Sequence, residues 1–173
     1  MFSKGGNEMT ENTAGCFLRP AEASDEELLL TWANDKDTRK NSFHTRPIQP
    51  EEHHRWFAGI LSDKSEHVWI MTVDDRPAGM VRLSEDGNSS GHIFRISYSI
   101  AKPFRGKGLG TCIIRLMEEK AKREFGGEGG QLYAEVKKDN IASRKIFESL
   151  GYAEGTEKAK DCMIYRKNIE DIR

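Results

Sequence analysis

The stretch that most constrains this chain is Arg105-Gly106-Lys107-Gly108-Leu109-Gly110. Glycine at alternate positions keeps side chains off the backbone, so N–H groups can converge on an anion. An apolar run, His92 to Ile100, precedes it, and an amphipathic one with Leu109, Ile113, Leu116 and Met117 inward follows. The loop therefore sits between a strand and a helix N-terminus, where the helix dipole favours negative charge. Lys102, Arg105 and Lys107 add formal charge, and a pyrophosphate is the natural guest. Two other phosphate-binding patterns fail on spacing. The fingerprint Gly-x-Gly-x-x-Gly meets Thr111 at its last glycine, and no segment supplies Gly-x4-Gly-Lys-Ser/Thr.

The rest of the chain reads as one α+β domain over 16–173 behind a polar, mobile leader, 1–15. Cys16 to Arg19 is a short strand stopped by Pro20. Ser24-Asp25-Glu26-Glu27 has the form of a capping box opening a helix with Leu28, Leu29 and Trp32 inward. Thr38 to Pro47 reads as a polar connection. Pro50-Glu51-Glu52 then begins a second helix whose buried face holds Trp56, Phe57, Ile60 and Leu61. Three strands at 67–73, 78–83 and 92–100 make an antiparallel meander. After the glycine loop come its helix, a strand at 132–136, a helix at 140–150 ended by Gly151, and a closing hairpin at 152–156 and 161–168.

Charge and composition remove whole classes of function. Lys plus Arg is 27 and Asp plus Glu is 28, a net charge of -1, which lacks the basic excess of a general nucleic-acid binder. No apolar run approaches the ~18 residues of a membrane span. Cys16, Cys112 and Cys162 lack metal-ligand spacing, so no metal and a reduced cytoplasmic setting are expected.

Arg-Gly-x-Gly-x-Gly after Tyr98-Ser99-Ile100 resembles the acetyl-CoA-binding signature of the GNAT superfamily of N-acetyltransferases. A second block, Asn140-Ile141-Ala142-Ser143 through Leu150-Gly151-Tyr152, is similar to that family's Asn-x-x-(Ala/Ser)…Leu-Gly-(Phe/Tyr) segment. The resemblance implies a GNAT-type acyl-CoA N-acyltransferase fold: a central mixed, mostly antiparallel sheet flanked by about four helices, with strands splayed at the cofactor site. It implies acetyl-CoA as co-substrate. Tyr98, Ser99 and Ile100 would offer backbone groups to pantetheine and to the thioester carbonyl. Arg105, Gly106, Lys107, Gly108, Leu109 and Gly110 would hold the pyrophosphate, with Asn140, Ser143 and Arg144 along pantetheine. Asn140 serves equally as a plain helix N-cap.

Many family members place a Tyr seven residues after that Asn, to protonate the departing thiolate. Here the position is Phe147. Tyr98, Tyr133 and Tyr152 are alternative donors. For the base that takes the amine's proton, the candidates are Glu135, His53 and His54. An exposed strand acid and surface histidines are the plainer readings of the same residues.

Trp32, Asn34, Arg39, Ser42 and His53 lie in a block that looks like acetyltransferases of nucleotide-linked amino sugars, of the pseudaminic-acid type. Ribosomal-protein N-terminal and polyamine acetyltransferases share a looser version. The expected acceptor is therefore a small amine, foremost that of an amino-sugar nucleotide, with those two as alternatives. Trp32, Trp56 and Phe57 also suit plain packing of helices on the sheet. A non-enzymatic module that binds acetyl-CoA as a regulatory ligand is a reading that Phe147 favours. Edge strands are compatible with a homodimer.

Overall fold

The computed structural model describes residues 15–87, 92–127, 129–155 and 161–173. The expected leader, but for Gly15, lies outside them, as do the tip of the turn before His92 and much of the last hairpin's loop.

Strand β1 (Cys16–Pro20) leads through a 3-10 turn (Ala23–Asp25) to helices α1 (Glu26–Ala33), α2 (Lys36–Asn41) and α3 (Pro50–Ser62). The meander β2 (Glu66–Val73), β3 (Arg76–Glu85) and β4 (His92–Ile100) follows. Then come helix α4 (Leu109–Phe125), strand β5 (Gly130–Lys137), helix α5 (Ile141–Ser149), and strands β6 (Ala153–Gly155) and β7 (Cys162–Asn168). All join one sheet in the order β1-β2-β3-β4-β5-β7-β6, antiparallel except where β4 meets β5. This is the mixed, mostly antiparallel sheet expected, with five α-helices among the described residues where about four were expected.

The additional helix is α2, which occupies the start of the expected connection. Asp35 creates it: its Oδ1 accepts the N–H groups of Asp37 at 3.2 Å and Thr38 at 3.3 Å. Such an N-cap is worth about 1 kcal/mol, enough to fold a polar hexapeptide that packing also supports. The cap before α1 shifts as well. Ser24 lies inside the 3-10 turn, and the reciprocal cap joins Glu22 to Asp25, whose Oδ2 accepts the Glu22 N–H at 2.8 Å.

Two cores lie on opposite faces of the sheet. Ile113, Ile114 and Met117 of α4 pack on Val81, Leu83, Phe94 and Leu132, while Leu29 of α1 and Phe57 and Ile60 of α3 cover Val68 and Ile70. Each such side chain stabilises the fold by roughly 1.5–3 kcal/mol. The buried face of α3 differs from the expected one. Trp56 and Leu61 are 37% and 40% exposed, and His53 instead lines up inward with Phe57 and Ile60 at helical spacing.

Strands β4 and β5 pair in parallel only from His92–Gly130 to Ile96–Ala134. Beyond that, Glu135 to Lys137 stay with β7 and leave Ser97 to Ile100 without a partner on that side. The sheet is therefore split at its centre.

Candidate active site

A cavity of about 600 Å³ fills the split. Its walls are β4 from Ile96 to Ile100, β5 from Ala134 to Lys137, the glycine loop, the start of α5, and the end of α2 with Phe43. Of the residues expected at a cofactor, Tyr98, Ser99, Ile100, Arg105, Gly106, Gly108, Leu109, Gly110, Asn140 and Ser143 line it. Lys107 and Arg144 do not. The Lys107 ammonium lies 5.6 Å from the Phe104 ring, and the Arg144 guanidinium donates to the Tyr165 hydroxyl and the Lys138 carbonyl.

The three loop glycines act in different ways. Gly106 and Gly108 have φ of 74° and 76°, left-handed backbone that glycine adopts without strain. Gly110 has no such angle, but a Cβ there would come within 2.6 Å of Ile146 Cδ1, so it sets how closely α4 approaches α5. The backbone N–H groups of Gly106 through Gly110 make no hydrogen bond within the described residues. Unpaired donors at a helix start can together hold an anion, and a pyrophosphate has the matching charge.

Arg105 departs from a simple phosphate ligand. Its Nη2 lies 2.7 Å from Asp35 Oδ1, its Nη1 donates to Asp37 Oδ2 at 3.0 Å, and its Nε donates to the Ile100 carbonyl at 2.9 Å. Asn140 combines both readings given to it. Its Oδ1 accepts the Ser143 N–H at 3.2 Å as the cap of α5, while the side chain borders the cavity.

Phe147 is buried in the cavity wall, edge-on to Tyr98 at 6.1 Å and to Tyr152 at 5.0 Å. Tyr98 shares that wall, and its hydroxyl lies 3.0 Å from Ser143 Oγ. Burial raises the Tyr98 pKa, partly offset by the Ser143 hydrogen bond, so it is a neutral donor at pH 7. Tyr133 and Tyr152 line neither this cavity nor the next.

Side chains alternate along β4, so Ser97 and Ser99 face the opposite side, beneath α1 and α3. A second cavity of about 160 Å³ opens there, between Leu29, Ala33, Thr38, Arg39, His53, Trp56, Met80, Ser97 and Ser99, with Tyr98 at its floor. Its volume is that of about five waters. His53 is 1% exposed and neither ring nitrogen has a hydrogen-bond partner. Burial lowers its pKa, against a weaker upward pull from Glu26, so the imidazole is neutral near pH 7. His54 instead is exposed and paired with Glu26 at 2.9 Å.

Arg39 borders this second cavity and, among the described residues, is bonded to neutral oxygens: the Ala33 and His44 carbonyls at 2.6 and 3.0 Å, the Arg46 carbonyl at 3.5 Å, and Ser42 Oγ at 3.0 Å. Ser42 borders the larger cavity, as does Glu135. Trp32 and Asn34 reach neither. Trp32 packs on the second core, and the Asn34 amide clamps Ile48 with a bond in each direction, 2.9 and 2.8 Å. Ser97, Met80 and Leu29 line the second cavity without belonging to any sequence motif; alternation along β4 is the signal for Ser97, while Leu29 reads from its helical period as core alone. Among the described residues no cluster of His, Cys, Asp and Glu suits a metal ion, and no helix is long and apolar enough to cross a membrane.

A family model described as "Acetyltransferase (GNAT) domain" matches residues 16–153. Comparison with curated proteins finds no match. Among solved structures, a domain from Methanocaldococcus jannaschii is 26% identical, covering 88% of this chain and 97% of its own, with a TM-score of 0.76. Spermidine N-acetyltransferase from Vibrio cholerae, solved with CoA and spermine, is 16% identical over 91% of this chain and 98% of its own, TM-score 0.82. The aminoglycoside acetyltransferase AAC(6')-Ib with coenzyme A is 17% identical over 88% and 94%, TM-score 0.74. At such identities the last two speak to the fold.

Proposed function

Since the chain belongs to the GNAT acetyltransferases and is an acetyl-CoA-dependent N-acetyltransferase, we propose that its acceptor is a primary amine on a compact hydroxyl-bearing ring, that of a nucleotide-linked amino sugar. The observation that carries this reading is the chemistry of the smaller cavity. It offers an aromatic edge from Trp56, neutral polar groups from His53, Ser97 and Ser99, the cation Arg39, and no carboxylate. A desolvated polyamine would meet Arg39 there with no counter-charge. Sugar hydroxyls match the imidazole and serine groups, and a phosphate on the same molecule is drawn by the positive field around Arg39.

The two cavities meet at Thr38, Ser97, Tyr98 and Ser99, which border both. Acetyl-CoA supplies an activated thioester. The chain's part is to hold the pyrophosphate on the N–H groups of Gly106 to Gly110 and pantetheine between β4 and the Asn140 end of α5. The unpaired backbone from Ser97 to Ile100 can then face developing negative charge. Attack is direct, within a ternary complex. His53 or Glu135 accepts the ammonium proton, and the Tyr98 hydroxyl, backed by Ser143, returns one to the thiolate.

Release of free CoA thiol from acetyl-CoA, followed across amino-sugar nucleotides, peptide N-termini and polyamines, tests the reading. Turnover should be highest with the sugars. Efficient acetylation of peptides or polyamines with none of sugars sinks the acceptor and leaves the acetyltransferase. CoA binding with no thiol release from any amine is the outcome that favours a regulatory module.

A further inference from the structure

Helix α2 crosses the mouth of the split sheet and is tied at each end to one of the diverging strands. At its N-terminal end Arg105, just beyond β4, engages Asp35, Asp37 and Thr38 Oγ1, the last at 3.2 Å. At its C-terminal end Lys137, the last residue of β5, donates to the Lys40 carbonyl at 2.8 Å. Thr38 borders both cavities. Anything that stiffens the glycine loop therefore acts, through one guanidinium, on the helix that walls both cavities.

We propose that Arg105 is a positioning residue that couples the cofactor loop to the acceptor side, so that acetyl-CoA binding orders α2 and completes the acceptor cavity. The inference rests on the cofactor assignment made above and goes beyond it. Each of the three guanidinium nitrogens is engaged, Nε by Ile100, Nη1 by Asp37 and Nη2 by Asp35 and Thr38, which turns the side chain toward α2 and leaves the pyrophosphate chiefly to backbone donors. The Arg105 backbone adjoins Gly106, whose left-handed φ fixes the loop's course. When an anion immobilises those amides, the entropy of holding Arg105, and through it α2, has already been paid. Coupling of this kind is reciprocal: an occupied acceptor cavity must tighten acetyl-CoA by the same factor.

Amide hydrogen exchange with and without CoA, together with calorimetry of CoA binding, tests this. In the wild type, CoA should slow exchange of the Lys36–Asn41 amides by about tenfold. Arg105→Gln should bind CoA within about threefold of wild type, yet show fast α2 exchange that CoA no longer slows. Asp35→Asn keeps an N-cap while removing the charge, so it should behave the same way and decides the matter if Arg105→Gln fails to fold. Arg105→Lys, able to make one ion pair, should restore part of the response. A loss of CoA affinity of about tenfold or more with the α2 response intact makes Arg105 a pyrophosphate ligand and overturns the proposal. Wild type that binds CoA without any change in α2 overturns the coupling alone. Wild type that does not bind CoA overturns the cofactor assignment, and the coupling with it.

Discussion

The two faces of β4 are built on opposite principles. On one, Ile96, Tyr98 and Ile100 look toward α4 and α5, and the proposed anion site beside them is made of backbone N–H groups. On the other, Ser97 and Ser99 look toward a cavity walled by side chains from α1, α2, α3 and β3. A backbone site demands glycine at fixed spacing and advertises itself in a short contiguous stretch. A side-chain site needs only that scattered residues meet, and can be redrawn without disturbing the other face. One scaffold can in this way keep its acyl donor while changing its amine.

The sharpest way to break that division is His53→Gln. Loss of the proposed general base should cost on the order of 10²-fold in turnover, and CoA affinity should not change, because His53 borders the smaller cavity and not the larger. Its pH signature follows from sign. Burial lowers the folded-state pKa, so between that value and the unfolded one near ~6.5 the unfolded chain binds more protons. Stability should therefore fall as pH drops through that window, and activity as pH drops through its lower edge, where the folded His53 itself protonates; titration of the variant by rate and by thermal melting should show a flatter profile. Equal activity of His53→Gln at every pH assigns the proton to Glu135 or to water.

Gly108→Val tests the opposite face. The substitution strains a left-handed position by about 1–2 kcal/mol and sends a branched side chain into open space beside that site. CoA affinity should fall by roughly tenfold or more in calorimetry while the protein stays folded. Unchanged affinity in a folded protein would remove the loop from the cofactor site. The smallest effect is expected from Phe147→Tyr, at the boundary between the faces. The added hydroxyl joins a wall that already holds Tyr98 and Ser143, so turnover should stay within about threefold or rise. A large loss with normal CoA binding would show that the wall excludes a polar group.

The same contrast explains what could be read from residues alone. The succession of strands and helices along the chain and the loop between β4 and α4 follow from hydrophobic period and glycine spacing, which are local, whereas the mixed sheet splayed at the cofactor site is implied by the family resemblance alone. α2 is not legible in the sequence because a polar hexapeptide has no apolar period; the Asp35 cap, the tie to Arg105 and the Lys137 bond to its last turn hold it as a helix. His53 and His54 look alike in sequence. Their fates diverge because a one-residue step turns a helical side chain by about 100°, putting one beneath Trp56 and the other in water. Trp32 and Asn34 fell to packing and to a backbone clamp, roles that short motifs cannot separate from binding. The charge on Arg105 pointed to phosphate, while its partners, roughly 70 residues earlier in the chain, were invisible to any local pattern.

The most direct test of the two-faced site is a crystal structure of the protein with CoA and an amino-sugar nucleotide. The account places the pyrophosphate on the N–H groups of Gly106 to Gly110 with Arg105 still on Asp35, pantetheine between β4 and α5, and the sulfur beside Tyr98. The sugar amine should lie across β4, within hydrogen-bond reach of His53 or Glu135. A nucleotide bound on the α4–α5 side, or CoA entering beneath α1 and α3, would contradict it.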